Sequence, residues 1–199
     1  MPFEVSVVRA FIAIELPASI QEAIERYLQQ LQSELPSAIF RWIPIENIHL
    51  TLKFLGDIRL DRVDAIQQVL NQAAERTADF ELVVRGLGCF PQPHKPRVIW
   101  LGVDDEGKHL MNLHQDLDTL LSGHNFEPES RRFHPHLTFG RIKKSARPDQ
   151  INTFAHHLEG VKQPEIGVFK ARAVHLIRSE LRPQGATYSH LGTTLLGEH

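Results

Sequence analysis

The sequence predicts an α+β fold with two lobes related by an approximate two-fold axis. The 199 residues are enough for one domain or two small fused lobes, since a domain typically takes about 150 residues. Hydrophobic residues make up 42% and charged residues 23%, which excludes a disordered or fibrous chain. Strands and helices do not alternate as steadily as in a parallel doubly wound sheet. We therefore expect two mainly antiparallel sheets flanked by helices around a central cleft.

Hydrophobic spacing predicts the elements of the first half. The helix that follows Pro17 carries Ser19 and Glu22, the spacing of a capping box. Glycine and proline are concentrated in residues 86–96, which we expect to separate the lobes. The predicted elements are a strand, a helix, a short strand, a strand, a helix and a strand at about 11–16, 19–35, 40–42, 48–55, 60–74 and 80–84.

The second half shows a similar succession of elements. Its first helix should end at Gly123, where we expect a left-handed cap. The predicted elements are a strand, a helix, a strand, a helix and two strands at about 98–103, 110–121, 136–141, 151–158, 169–177 and 190–195.

The two halves share a register. Strands begin at residues 11 and 98, and 98 − 11 = 87; two His-Leu-Thr motifs begin at His49 and His136, and 136 − 49 = 87. This internal duplication predicts one bilobal domain over residues 1–199. Its pseudo-repeats would cover about 9–86 and 97–180, with a C-terminal strand at about 187–196.

The paired motifs carry the candidate chemistry. Side chains of a strand alternate between faces, so His49 and Thr51 should share one face, as should His136 and Thr138. If the two polar faces meet, two imidazoles and two hydroxyls converge on one centre. That arrangement suits in-line displacement at phosphorus, which needs a proton acceptor at one end and a donor at the other. The threonines would then donate to the non-bridging oxygens.

Charge favours an anionic substrate only around the second motif. The formal net charge is −2, yet residues 131–147 hold six Lys or Arg and no acid. Lys53 has the parity of His49 and would line the cleft. Arg141 falls on the opposite parity to Thr138, so it would reach phosphate from the end of the strand, or form a structural salt bridge instead. We take both as candidate substrate contacts.

Other classes of protein are less favoured. A metallohydrolase would have to use His49, His134 and His136, but no carboxylate lies near them at ligand spacing, so we expect no metal and no cofactor. The one cysteine, Cys89, excludes an internal disulfide and indicates a reducing compartment. No stretch has the length of a membrane helix, and the start does not resemble a signal peptide. We therefore expect a cytoplasmic protein without membrane association.

The sequence resembles the RNA 2′,3′-cyclic phosphodiesterases, formerly described as 2′-5′ RNA ligases, of the two-histidine phosphoesterase superfamily. The resemblance implies the bilobal α+β fold and metal-independent hydrolysis of an RNA terminal 2′,3′-cyclic phosphate, or of a cyclic nucleotide, to a 2′-phosphate. It also implies that His49 is the proton donor and His136 the acceptor that activates water. The matching segments are Phe11 to Pro17, Trp42-x-Pro44, His49 to Gly56, Phe90-Pro91, Pro96 to Trp100, Phe133 to Arg141 and Ser179 to Tyr188.

Two further expectations accompany this interpretation. The same chemistry run backwards, with a 5′-hydroxyl in place of water, would ligate 2′-5′ linkages. The alternative is a non-catalytic module that binds RNA ends in the same cleft, although the intact histidines and threonines of both motifs argue against it. We expect the chain to act as a monomer.

Overall fold

The computed structural model describes residues 6–35, 39–160, 163–183 and 185–197. Its helices and strands confirm the predicted α+β class. The element order is β1 (Val7–Glu15), α1 (Ala18–Glu34), β2 (Phe40–Trp42), β3 (His49–Arg59), α2 (Val63–Ala74), β4 (Phe80–Phe90), β5 (Val98–Asp104), α3 (His109–Ser122), β6 (His136–Ile142), α4 (Pro148–Gly160), β7 (Glu165–Ala171), β8 (Ala173–Arg182) and β9 (Gly185–Leu195).

The strands form an antiparallel sheet whose order is symmetric about its centre. The order is β7-β4-β5-β6-β3-β1-β8-β9, with β2 on β6. We call β3, β1, β8 and β9 the first half-sheet, and β6, β5, β4 and β7 the second. The sequence predicts two sheets, but β3 and β6 pair at Leu50 and Leu137, so the half-sheets are continuous. Both leucines are fully buried, and 137 − 50 = 87.

The two half-sheets exchange strands. β4 follows β3 in the chain yet pairs with β5 and β7 of the second half-sheet. In the same way β8 pairs with β1 and β9 of the first half-sheet. Each half-sheet is therefore built from both halves of the chain: β8 and β9 join β1 and β3 in the first, and β4 joins β5, β6 and β7 in the second.

Each motif strand contains a β-bulge directly after its threonine. Pairing between β1 and β3 leaves Leu52 without a partner, and pairing between β5 and β6 leaves Phe139 without one. The two bulges are equivalent, since 139 − 52 = 87. A bulge adds one residue to its strand, so side chains beyond it point to the face opposite to the one that strict alternation predicts.

Several local predictions were wrong for identifiable reasons. The capping box is absent: α1 begins one residue earlier than predicted, with Pro17 as its N-cap and no side-chain cap, and the carbonyl of Pro17 accepts hydrogen bonds from the first turn. Gly123 keeps a right-handed conformation, and the left-handed residue after α3 is Asn125, with φ of 62°. Residues 86 and 88, which we expected in a loop, lie within β4.

The glycine at 88 is required by packing. A Cβ atom there would lie 2.2 Å from the ring of Trp100 on the neighbouring strand. The predicted strand at 169–177 is in fact two strands, β7 and β8, which belong to different half-sheets.

The main core lies between the helices and one face of the sheet. Leu50, Leu137 and Phe139 are fully buried there, together with the apolar face of α3. Because successive side chains of a strand point to opposite faces, packing on this face leaves the polar residues of both motifs on the other face. Among the described residues, no helix is long and apolar enough to span a membrane.

Candidate active site

The structure brings the four motif side chains together in one cleft. Leu50 and Leu137 pair at the centre of the sheet and point into the core. Their neighbours in sequence point the other way and line an open cleft of about 2060 Å³. The antiparallel direction places each histidine on the side of the other motif's threonine. These side chains are His49, Thr51, His136 and Thr138.

Each histidine is held by a backbone carbonyl two residues earlier. The Nδ1 atom of His49 lies 2.9 Å from the carbonyl oxygen of Asn47, and that of His136 lies 2.6 Å from the carbonyl oxygen of His134. A carbonyl can only accept a hydrogen bond, so Nδ1 carries the proton in both rings. The Nε2 atom of each imidazole therefore remains available for acid or base chemistry.

Aromatic rings enclose His49. Phe11 stacks on its imidazole with centroids 4.6 Å apart, and Tyr188 makes an edge contact at 5.3 Å. Burial lowers the pKa of His49 from 6.5 to about 4, and the charge of His136 acts in the same direction. The hydrogen bond to Asn47 and the Glu15 carboxylate oppose this effect. Glu15 is the register partner of His49 on β1.

His136 has a different surrounding. The edge of Phe90 contacts its ring at a centroid distance of 5.0 Å, and Trp100 lies 6.1 Å away. Burial lowers the pKa of His136; the bond to the His134 carbonyl opposes this effect, and the His134 ring adds to it. The effect of Glu15 on His49 therefore distinguishes the two histidines electrostatically. A bound phosphate would raise the pKa of both, because its negative charge favours the imidazolium form.

Lys53 is among the residues that line the cleft, as the sequence predicts, but its ammonium group is bound inside the protein. It lies beyond the bulge at Leu52, which turns it towards the helices. Its ammonium group forms an ion pair with Asp118 of α3 and donates a hydrogen bond of 2.7 Å to the carbonyl oxygen of Glu127. The side chain is buried and links β3 to α3, and its contact with substrate stays a prediction.

The second bulge moves Arg141 from the packed face of the sheet to the cleft. Arg141 lies beyond the bulge at Phe139, so it shares the face of Thr138 and lines the cleft, although strict alternation predicts the packed face. Its side chain is exposed, and its charge reaches Tyr188 across the cleft, where it opposes the rise in the tyrosine's pKa that burial causes. Strict alternation is thus wrong for the face of Arg141, and its contact with phosphate stays a prediction.

Basic side chains surround the paired motifs. Of the predicted basic segment, Arg131, Arg132 and Arg141 line the cleft, together with Arg9 and Arg41. By contrast, Arg147 forms an ion pair of 3.0 Å with Asp149 at an exposed site. The cleft therefore attracts anions although the whole chain is slightly acidic.

Sequence reasoning missed three aromatic residues of the site. Phe11 and Tyr188 were visible only as members of the segments that carry the resemblance. Phe54 was missed because the bulge at Leu52 places it on the cleft side, where it lines the cleft and remains 67% exposed. A single sequence offers no signal for such a bulge.

The three histidines of the metallohydrolase hypothesis do not form a ligand set. Among the described residues, the His, Cys and carboxylate groups whose ligand atoms converge within 4.8 Å are Glu15, His175 and His190. Both His49 and His136 instead use Nδ1 for a backbone bond.

A symmetric antiparallel sheet with two His-x-Thr strands facing one cleft defines a phosphoesterase fold, and comparison with known proteins identifies its family. The model of the LigT-like phosphoesterases matches this chain twice, over residues 14–100 and 101–188. The chain belongs to the LigT-like phosphoesterase family. The two matches begin 101 − 14 = 87 residues apart, which is the offset of the motifs.

Relatives from distant organisms are similar over most of the chain. The RNA 2′,3′-cyclic phosphodiesterase of Methanothermobacter thermautotrophicus is 34% identical over 92% of this chain and 96% of its own length. The protein of the same name from Aquifex aeolicus is 31% identical over 96% of this chain and 98% of its own. The apo crystal structure of Escherichia coli LigT superposes with a TM-score of 0.75 at 25% identity, covering 96% of this chain and 99% of that one.

Proposed function

We propose that this protein is an RNA 2′,3′-cyclic phosphodiesterase that opens a terminal cyclic phosphate to a 2′-phosphate without a cofactor. The observation that carries the proposal is the placement of two His-x-Thr motifs about the Leu50–Leu137 pair, with Nε2 of both imidazoles available. The basic cleft suits an RNA end, and the names of the related proteins support the same substrate.

The reaction uses both imidazoles at one phosphorus atom. Nε2 of His136 accepts a proton from water while the water oxygen attacks phosphorus. The bond from phosphorus to O3′ breaks, and Nε2 of His49 gives its proton to that oxygen. Thr51 and Thr138 donate hydrogen bonds to the non-bridging oxygens, where negative charge concentrates in the transition state. The product keeps its phosphate on O2′.

The bound substrate completes the electrostatics of the proton donor. Burial lowers the pKa of both imidazoles, that of His49 to about 4, and the Glu15 carboxylate across from His49 opposes this effect only in part. The negative charge of a bound phosphate favours the imidazolium form, which the proton donor needs. Arg141 extends from the same face as Thr138 and would contact the phosphate or its neighbour on the 5′ side.

Hydrolysis of an oligonucleotide with a 2′,3′-cyclic phosphate end tests the function. With a chelator in excess, we expect a phosphomonoester product that is a 2′-phosphate, and a decrease of kcat by about 10²–10⁴ in both His49→Ala and His136→Ala. His156→Ala, on the exposed surface of α4, is the matched control and should keep full activity.

Three results would contradict the proposal. A 3′-phosphate product would mean that the other oxygen leaves. Full activity in both histidine variants would place the chemistry elsewhere. Tight binding of the oligonucleotide without any product would favour the non-catalytic module.

The finer expectations follow from the same site. We propose that 2′-5′ ligation is the same displacement with a 5′-hydroxyl in place of water: its oxygen attacks phosphorus, the bond from phosphorus to O3′ breaks, and a 2′-5′ linkage remains. We also propose that the chain works as a monomer, because both motifs and the basic lining of the cleft come from one chain. A cytoplasmic location remains a prediction that cell fractionation would check.

A further inference from the structure

A second group of histidines lies beside the catalytic cleft. Glu15 ends β1, His175 lies on β8 and His190 on β9, which are three adjacent strands of the first half-sheet. His175 is the register partner of Ala13, so it shares the cleft-facing side of the sheet. The proposed phosphodiesterase reaction uses neither of these two histidines.

The ligand atoms of the three side chains converge. Nε2 of His190 lies 2.7 Å from one carboxylate oxygen of Glu15, and Nε2 of His175 lies 3.9 Å from the other. The two imidazoles are nearly parallel, with centroids 4.8 Å apart. All three ligand atoms fall within 4.8 Å of one another. Two imidazoles thus present the same nitrogen to one carboxylate.

The hydrogen bond of His175 favours metal binding through that nitrogen. Its Nδ1 lies 3.0 Å from the hydroxyl oxygen of Thr193, its register partner on β9. When Nδ1 donates to this oxygen, Nε2 carries a lone pair directed towards Glu15. A metal-binding histidine usually has such an oxygen partner on its second nitrogen, since that bond fixes the tautomer and the ring orientation.

We propose that Glu15, His175 and His190 form a binding site for a divalent transition metal, of which Zn²⁺ fits best. Tetrahedral Zn²⁺ with bonds of about 2.0–2.1 Å places its ligand atoms about 3.3 Å apart. The distances of 2.7 and 3.9 Å lie on either side of this value. The site is half exposed at Glu15 and His190, so a small rotation of these side chains completes it and a water molecule takes the fourth position.

The site would join strands from the two ends of the chain. β1 comes from the start of the described chain, whereas β8 and β9 come from its end. A metal bound to all three strands is bound by the folded state alone, so it stabilises the fold by mass action. Glu15 and His190 also line the cleft, so the metal would lie at its rim, on the side of His49.

Zinc titration of the untagged protein at neutral pH tests the proposal. We expect one Zn²⁺ per chain by competition with a chromophoric chelator, and a higher midpoint of thermal unfolding when Zn²⁺ is added. His175→Ala, His190→Ala and Glu15→Gln should each weaken binding by at least about tenfold, and Thr193→Val by about tenfold. Thr193→Ser keeps the hydroxyl and should retain the affinity, as should the control His156→Ala.

Three outcomes would rule out this metal site. Absence of Zn²⁺ binding to the wild-type protein would overturn the proposal. So would binding that survives in the His175→Ala/His190→Ala double variant, or binding that is lost in His136→Ala instead. Circular dichroism of each variant would confirm folding, and the thermal shift of the wild-type protein needs no variant at all. None of these measurements depends on phosphodiesterase activity.

Discussion

The backbone, rather than a side chain, holds the Nδ1 atoms of the two imidazoles that we propose to be catalytic. In each, Nδ1 donates to the carbonyl two residues earlier, so the backbone that leads into the strand sets the tautomer of the histidine. A carboxylate would be the alternative partner, but it would hold the proton-bearing form more strongly. With a carbonyl partner and a buried ring, both imidazoles are neutral until an anion enters the cleft.

This arrangement predicts the pH dependence of the reaction. Burial lowers the pKa of His49 to about 4 and also lowers that of His136, and kcat/KM reports groups of the free enzyme. Both limbs of the kcat/KM profile should therefore lie below about pH 6.5. The bound phosphate raises both pKa values, so the kcat profile should be shifted to higher pH. Initial rates over a range of pH test this, and a kcat/KM optimum above the kcat optimum would contradict it.

Individual site residues could be predicted from the sequence where the same pattern occurs twice. The motif histidines and threonines could be predicted because His-Leu-Thr occurs twice at an offset that also relates other strands. Glu15, Phe11 and Tyr188 could not be predicted as neighbours of His49 from spacing, because they come from separate strands whose pairing only the fold establishes.

Among the strands, the β-bulges at Leu52 and Phe139 decide which later side chains face the cleft. They exchange the predicted positions of Lys53 and Arg141: the first turns to the helices and the second to the cleft. Strict alternation fails here because the extra residue shifts the side chains that follow it by one position. Bulges are common next to active sites, where they redirect side chains in this way.

The exchange predicts opposite effects for two matched substitutions. Lys53→Met leaves the Asp118 carboxylate without its cation in a mostly buried place, so the free energy of unfolding should fall by about 3 kcal/mol with kcat nearly unchanged. Arg141→Met removes an exposed charge from the cleft, so stability should hold while KM rises about tenfold. Urea denaturation and steady-state kinetics measure both. A raised KM with unchanged stability in Lys53→Met would show that Lys53 contacts substrate after all.

At the scale of the whole molecule, the symmetric strand order was predictable only in part. The duplication indicates two related halves, and the class of fold followed from it. The exchange of β4 and β8 could not be read from hydrophobic spacing, because spacing identifies strands but not their partners. The join at Leu50 and Leu137 makes one sheet of two expected ones.

This topology predicts that the molecule unfolds as one unit. Each half-sheet contains strands from both halves of the chain, so losing one removes partners from the other. Leu137→Ala at the centre should lower the free energy of unfolding by about 2–5 kcal/mol. Native-state hydrogen exchange should show an equal decrease in protection for the amides of β1 and β5. A decrease in protection confined to β5 and its neighbours would mean that the half-sheets unfold independently.

The proposed mechanism gives two imidazoles different roles at one phosphorus atom, and a substrate with sulfur in place of the bridging O3′ separates these roles. A thiolate leaves without a proton donor, so this substrate should restore most of the activity of His49→Ala and none of that of His136→Ala. Equal behaviour of the two variants, or recovery in His136→Ala instead, would contradict it.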